Sequence, residues 1–147
     1  MKELIKKENI KVNVDVSNWE DAIRVSGELL VKSKSISKKY VENMIDSVKN
    51  LGPYIVIAPG IAIAHSKPDN KIVYKSDISL ITLKKPVEFG NKKNDPVKLV
   101  FSFASKESEG HLQNLSKIAD LLEKEGFVKE ISESSDENEI YNLLNKI

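Results

Sequence analysis

Two side chains in this sequence are suited to proton and group transfer near neutral pH, His65 and His111, because imidazole is the side chain whose ordinary titration falls there. His65 closes the apolar segment Ile61-Ala62-Ile63-Ala64 and is followed at once by Ser66, Lys67, Pro68, Asp69 and Asn70. The chain therefore passes at His65 from strand to polar loop, and strand ends are where ligands meet open α/β sheets. His111 falls in the first turn of a helix predicted over Ser108 to Glu125, and Leu115 and Ile118 follow it at four and seven residues, so it shares their inward face. A helix start offers unpaired amides and partial positive charge, which favour a phosphate group beside it and disfavour a protonated imidazole.

One arrangement that uses both residues is a phosphohistidine site. A neutral nitrogen of His65 would attack a phosphoryl group in line, while His111, the amides at its helix start and Ser66 or Lys67 would hold the phosphate oxygens. Spacing alone leaves this open, since two histidines 46 residues apart are more often a surface residue and a packed one. Other chemistries have less to stand on. Gly52, Gly60, Gly90, Gly110 and Gly126 are isolated, so no phosphate-cradling glycine loop with its lysine is present. Asp69 adds only one further ligand near His65, too few for a metal site. Ser66 makes no dyad with His65, because consecutive strand residues point to opposite faces. Lys84-Lys85 and Lys92-Lys93 are expected as solvated loop charge or the border of a partner surface, and Trp19 as core or staple.

The elements that must position these groups are marked by periodicity. Ile10, Val12, Val14 and Val16 alternate as in a half-buried strand. Ser17 and Glu20 have capping-box spacing ahead of a helix over Trp19 to Leu30, and Ser35 and Ser37 offer a cap for a second helix through Tyr40, Val41, Met44, Ile45 and Val48, stopped at Leu51-Gly52-Pro53. Ile55 to Ile57 and Ile61 to Ile63 are expected as strand segments around an Ala58-Pro59-Gly60 turn. Asp77 to Leu83 and Val97 to Ala104 are two further strands joined by a loop containing Pro86 and Gly90 to Asp95. After the Ser108 to Glu125 helix, with Gly126 as its stop, a short strand is expected near Phe127 to Ile131 and a last helix from about Asp136 to Lys146. Alternating helices and strands give an α/β fold, a sheet covered by helices.

Length and composition narrow the class. A chain of 147 residues with 40% hydrophobic and 31% charged residues fits one domain, 1–147, that buries roughly two-thirds of its unfolded surface. With 23 basic against 22 acidic residues there is no global field to draw in nucleic acid or an anionic membrane. Cysteine is absent, which excludes disulfides and thiolate chemistry. The start carries charge without an apolar run of signal-peptide length, and nothing approaches a membrane span, so a cytoplasmic protein without membrane insertion is expected.

The run from Gly52-Pro53-Tyr54 through Ile55-Val56-Ile57-Ala58-Pro59-Gly60 to Ile61-Ala62-Ile63-Ala64-His65 resembles the active-site signature of the type-2 (fructose/mannitol/ascorbate) enzyme IIA family of the phosphotransferase system. Pro86 to Gly90, Asp95-Pro96-Val97 and His111-Leu112-Gln113-Asn114-Leu115 look like the family's following segments in order. The resemblance spans about Trp19 to Ile147. It implies a three-layer α/β/α domain with a mixed sheet flanked by helices, and a phosphotransferase component of sugar uptake. It further implies that His65 is the phosphoryl acceptor, as a tele-phosphohistidine, and that His111 is similar to the second histidine that stabilises the phosphoryl group. The implied partners are the histidine phosphocarrier protein and a IIB component, with a membrane IIC component engaged indirectly; neither cofactor nor metal is implied. The Gly-Pro-Tyr-Ile-Val-Ile-Ala-Pro-Gly form is closest to the ascorbate-type branch.

Ala64 stands where proline is usual, Ser66-Lys67 where a small residue and often arginine follow, and Ser47 and Lys49 where mannitol-type members carry an arginine. A regulatory phosphohistidine domain that controls a transcription regulator or transporter would need the same nucleophile. A domain that kept the fold and lost the chemistry is the third reading. A docking face of apolar residues near Ile61, Ile63 and Ala64 with a polar rim is expected.

Overall fold

The structure, a computed structural model, describes residues 4–145, and of residues 108–112 and 114 the backbone only. Among the described residues five strands, β1 (Ile10–Val14), β2 (Val56–Ala58), β3 (Ile61–Ala64), β4 (Asp77–Val87) and β5 (Val97–Ala104), form one mixed sheet in the order β1-β4-β5-β3-β2. β1 runs parallel to β4 and β3 parallel to β5, whereas β4 with β5 and β2 with β3 are antiparallel. The β2–β3 turn closes at Gly60, whose φ of 78° lies in the left-handed region that glycine enters without steric cost.

Helices α1 (Trp19–Lys32) and α2 (Lys38–Leu51) lie over one face, and α3 (Ser108–Leu122), α4 (Phe127–Glu133) and α5 (Glu137–Asn145) over the other. The alternation of β5 shows why both faces are covered. Leu99, Phe101 and Phe103 pack with Ile118, Phe127, Ile131 and Ile140, while Val100 and Ala104 pack with Ile23, Tyr40 and Met44. The result is the three-layer α/β/α arrangement with a mixed sheet. Among the described residues no helix is long and apolar enough to cross a membrane.

Several local expectations are corrected. Asn18, not Ser17, caps α1, its side chain accepting from the Asp21 amide at 2.9 Å. Ser35 does not cap α2; its hydroxyl is buried and donates to Asp77, which also accepts from Asn9. Pro86 lies within β4 instead of in the following loop. The strand expected at Phe127 to Ile131 is the helix α4: Gly126 turns the chain with φ 77°, and Phe127 and Ile131 are buried one helical turn apart. Ile61, Ile63 and Ala64 are buried, at 3%, 1% and 0% exposure, so they present no docking face. The reason is that β3 is an interior strand with a helical layer on each side.

One rim of the sheet gathers the ends that matter for chemistry. Ala64 pairs with Ser102 near the end of β5, and Ala104 pairs with Asp77 at the start of β4. The segment before α2 is laced to the same rim by the Ile36–Val73 bridge and the Ser37 amide donating to Ile72.

Candidate active site

His65 is the first residue beyond β3, half-buried at that rim. Its Nδ1 lies 2.8 Å from the carbonyl oxygen of Ile63. A carbonyl only accepts, so Nδ1 carries the proton and the neutral ring holds its lone pair at Nε2. Phe103, at the end of β5, stacks on the imidazole with ring centroids 5.2 Å apart and 23° between planes. Tyr54, just before β2, meets it edge-on at 5.5 Å. Burial among these groups pushes the imidazole pKa below its ordinary value, and the hydrogen bond to Ile63 opposes that shift without overcoming it. The ring is therefore neutral at physiological pH.

A second ring holds the frame. Tyr40, in the first turn of α2 and fully buried, accepts a hydrogen bond from the Ser66 amide at 3.0 Å. Its own proton goes to the Phe103 carbonyl at 3.0 Å or the Ser66 carbonyl at 3.2 Å. One hydroxyl thus ties the residue after His65 to the residue stacked on it. Burial, more than the nearby Tyr54, raises the Tyr40 pKa to about 12, against the opposing Ser66 contact, so the phenol stays protonated and keeps its donor. Periodicity placed Tyr40 only as a core position. Tyr54 and Phe103 likewise carry no sequence signal beyond their apolar character, although Tyr54 lies inside the Gly52 to His65 run.

Ser66 is half-buried and held through its backbone, and Lys67 is exposed. His111 lies by backbone in the first turn of α3, the helix that follows β5; its side chain lies outside the described residues. Among the described residues no group of three or more His, Asp or Glu side chains is placed to hold a metal. Trp19 packs against the core with its ring 6.2 Å from Phe89, consistent with a structural role.

A neutral imidazole with a fixed tautomer at a strand end is an arrangement for nucleophilic group transfer. Residues 3–147 match the family described as phosphoenolpyruvate-dependent sugar phosphotransferase system, EIIA 2. The chain belongs to this family. It is an EIIA phosphotransfer component of sugar transport, as the type-2 resemblance implied. Over 144 residues, 97% of the chain and 93% of the relative, it is 31% identical to the ascorbate-specific PTS system EIIA component of Escherichia coli strain K12. Its fold superposes on the mannitol-specific cryptic phosphotransferase enzyme IIA CmtB of Escherichia coli with a TM-score of 0.88 at 27% identity, covering 99% of this chain and 100% of that one. It also matches a chain of the Escherichia coli complex of enzyme IIAMTL with phosphorylated enzyme IIBMTL, with a TM-score of 0.84 at 26% identity and coverages of 95% and 96%.

Proposed function

We propose that His65 carries the phosphoryl group on Nε2, taking it from a histidine phosphocarrier protein and passing it to a IIB component. The observation that carries this reading is the 2.8 Å contact of Nδ1 with the Ile63 carbonyl, which directs the lone pair of the neutral ring to Nε2. In the first step the Nε2 lone pair forms a bond to phosphorus as the carrier's P–N bond breaks, and that electron pair returns to the carrier's imidazole. Positive charge develops on the His65 ring, where the Ile63 carbonyl stabilises it through Nδ1–H. In the second step an acceptor atom of IIB attacks phosphorus in line, the P–Nε2 bond breaks, and its electron pair returns to Nε2. The Nδ1 proton stays in place throughout.

His111, at the start of α3, is proposed to hold the phosphoryl oxygens together with the amides of that helix start. The 31% relative is named ascorbate-specific, and an ascorbate-type system is the substrate class we favour over fructose or mannitol types. On this reading the chain acts as one domain, 1–147, in the cytoplasm, and a membrane IIC component is served only through IIB. Tyr54, 43% exposed beside His65, and Ile57, 46% exposed on the edge strand β2, supply the apolar surface a transient partner needs. The test is incubation with phosphoenolpyruvate, enzyme I and the phosphocarrier protein, followed by intact mass and acid lability. Wild type should gain one acid-labile phosphate and His65→Ala none; a labelled His65→Ala chain would refute the assignment. If His111→Ala accepts and passes the group as fast as wild type, the role given to His111 is wrong.

A further inference from the structure

Two segments flank His65 on the side away from β2, and both are basic. Residues 34–40 and 66–75 contain Lys34, Lys38, Lys39, Lys67, Lys71 and Lys75, all exposed. The backbone zips the two segments together. The Tyr74 and Lys75 amides donate to the Ser35 carbonyl at 2.8 and 3.3 Å, Ile36 bridges Val73, the Ser37 amide donates to Ile72 at 2.9 Å, and Ser66 is bound to the Tyr40 hydroxyl. The lysines thus lie on two segments held side by side, the second of which begins one residue after His65. Among the described residues none of them is in an ion pair. The acid within the two segments, Asp69, is half-buried and accepts from the Lys71 amide, ordering the loop. Tyr74 stands 53% exposed in the same segment, an amphipathic anchor amid the charge.

Unneutralised like charges cost self-repulsion, and a patch of one sign raises the encounter rate with a partner of the other. We propose that these two lysine-bearing segments form the docking surface for an acidic patch on the IIB component, and that it sets how fast the two proteins meet. The inference rests on the reading of His65 as the residue that hands phosphate to IIB. Nucleic acid is the less favoured occupant: the chain's net charge is only +1, and the second segment adjoins a residue whose reaction brings a protein partner over it. Lys84, Lys85 and Lys92 form a natural control, exposed and of the same sign but at or beyond the other end of β4, which runs away from the Asp77 rim.

The experiment measures phosphoryl transfer from phosphorylated chain to the IIB protein of the same organism by rapid quench. It compares wild type, the triple variant Lys38→Glu/Lys71→Glu/Lys75→Glu, and the control Lys84→Glu/Lys85→Glu/Lys92→Glu. Lys67 is left alone so that a direct contact with phosphate does not enter. The expected result is a second-order rate at least about tenfold lower in the first variant, within about twofold of wild type in the control, and a several-fold fall for wild type between about 50 and 300 mM salt, as exposed charge is screened. At saturating IIB the first variant should recover the wild-type rate, because its docking and not its chemistry is impaired. Equal effects of the two variants, no effect of either, or displacement of IIB by a single-stranded oligonucleotide at that face would overturn the proposal. A wild type that takes phosphate yet passes none to IIB would overturn the functional reading and the docking surface with it.

Discussion

Removing the Tyr40 hydroxyl is the sharpest test of how the active-site rim is held. Tyr40→Phe keeps a buried ring in place and takes away one donor and one acceptor. The Ser66 amide loses the acceptor at 3.0 Å, and the Phe103 or the Ser66 carbonyl loses the donor, at 3.0 or 3.2 Å. Losing the two hydrogen bonds of this hydroxyl costs about 0.5–1.5 kcal/mol each, and the slightly more apolar phenyl ring returns part of it. A net loss of about 1.5 kcal/mol shifts the folding equilibrium roughly tenfold and lowers the melting temperature by about 3–6 °C for a chain of this size. The stability change alone does not establish a positioning role, since any core hydrogen bond would give it. The deciding measurements are made below the melting range: the His65 15N chemical shifts, which report the tautomer, and the single-turnover rate of phosphorylation. Because Tyr40 ties Ser66 to Phe103, its loss should loosen the imidazole on both sides and slow phosphorylation by about tenfold or more, as sub-ångström misplacement of reacting atoms does. A variant with the expected melting shift but unchanged His65 shifts and rate would show that Tyr40 supports the fold without placing the nucleophile.

Two further outcomes follow from burial and packing. The His65 pKa is lowered by burial, so phosphorylation should stay level as pH falls through the ordinary histidine value near ~6.5 and decline only below it; an NMR titration of His65 with a midpoint at or above that value would contradict the assignment. The sign for stability follows: the unfolded chain takes up the proton first as pH falls, so the contribution is complete above the unfolded pKa and is lost progressively below it. Gly27→Ala should destabilise although alanine is the better helix former by about 1 kcal/mol. A Cβ there would lie 2.8 Å from one methyl of Val41 and 3.2 Å from the other, and the stiff, buried valine on α2 yields only at an overpacking cost of about 1–3 kcal/mol. Denaturant midpoints of the two proteins decide it, and a more stable variant would mean that α1 and α2 separate at little cost.

How much of this was legible in the sequence depended on whether a residue's role is local. The change from Ile61-Ala62-Ile63-Ala64 to Ser66-Lys67-Pro68 is a local event that made His65 one candidate among others, and only the family resemblance made it the expected phosphoryl acceptor. The α/β class followed from alternating helices and strands for the same reason, whereas the three layers and the mixed sheet were expectations of the family resemblance. Tyr40 did not stand out, since its place among Val41, Met44 and Ile45 is that of any core residue. Its hydroxyl acts on groups 26 and 63 positions away. The docking residues were misplaced by a related omission: Ile61, Ile63 and Ala64 adjoin His65 in sequence, but β5 and β2 flank β3 and helices cover both faces, so the exposed apolar surface beside His65 comes from Tyr54 and, on the edge strand, Ile57. α4 was mistaken for a strand because a short apolar run carries no period of its own, and only Gly126 in the left-handed region sets its direction.

The chemistry proposed for the site turns on two opposed effects at the His65 ring. Burial between Phe103 and Tyr54 disfavours the charged imidazole, whereas the Ile63 carbonyl favours it through Nδ1–H, and burial is the larger. If burial acted alone the ring would be neutral but free to choose its tautomer, and part of the population would point a proton at the incoming phosphorus. If the carbonyl dominated, the ring would be protonated on both nitrogens and have no lone pair to give. With burial dominant and the carbonyl present, the ring is neutral with its proton held at Nδ1. On the proposed reading, the carbonyl that is outweighed before reaction would then face a ring that gains positive charge as the P–Nε2 bond forms, so its contribution would grow toward the transition state. Withdrawing it by a backbone shift should therefore slow phosphorylation more than it weakens the docking of either partner.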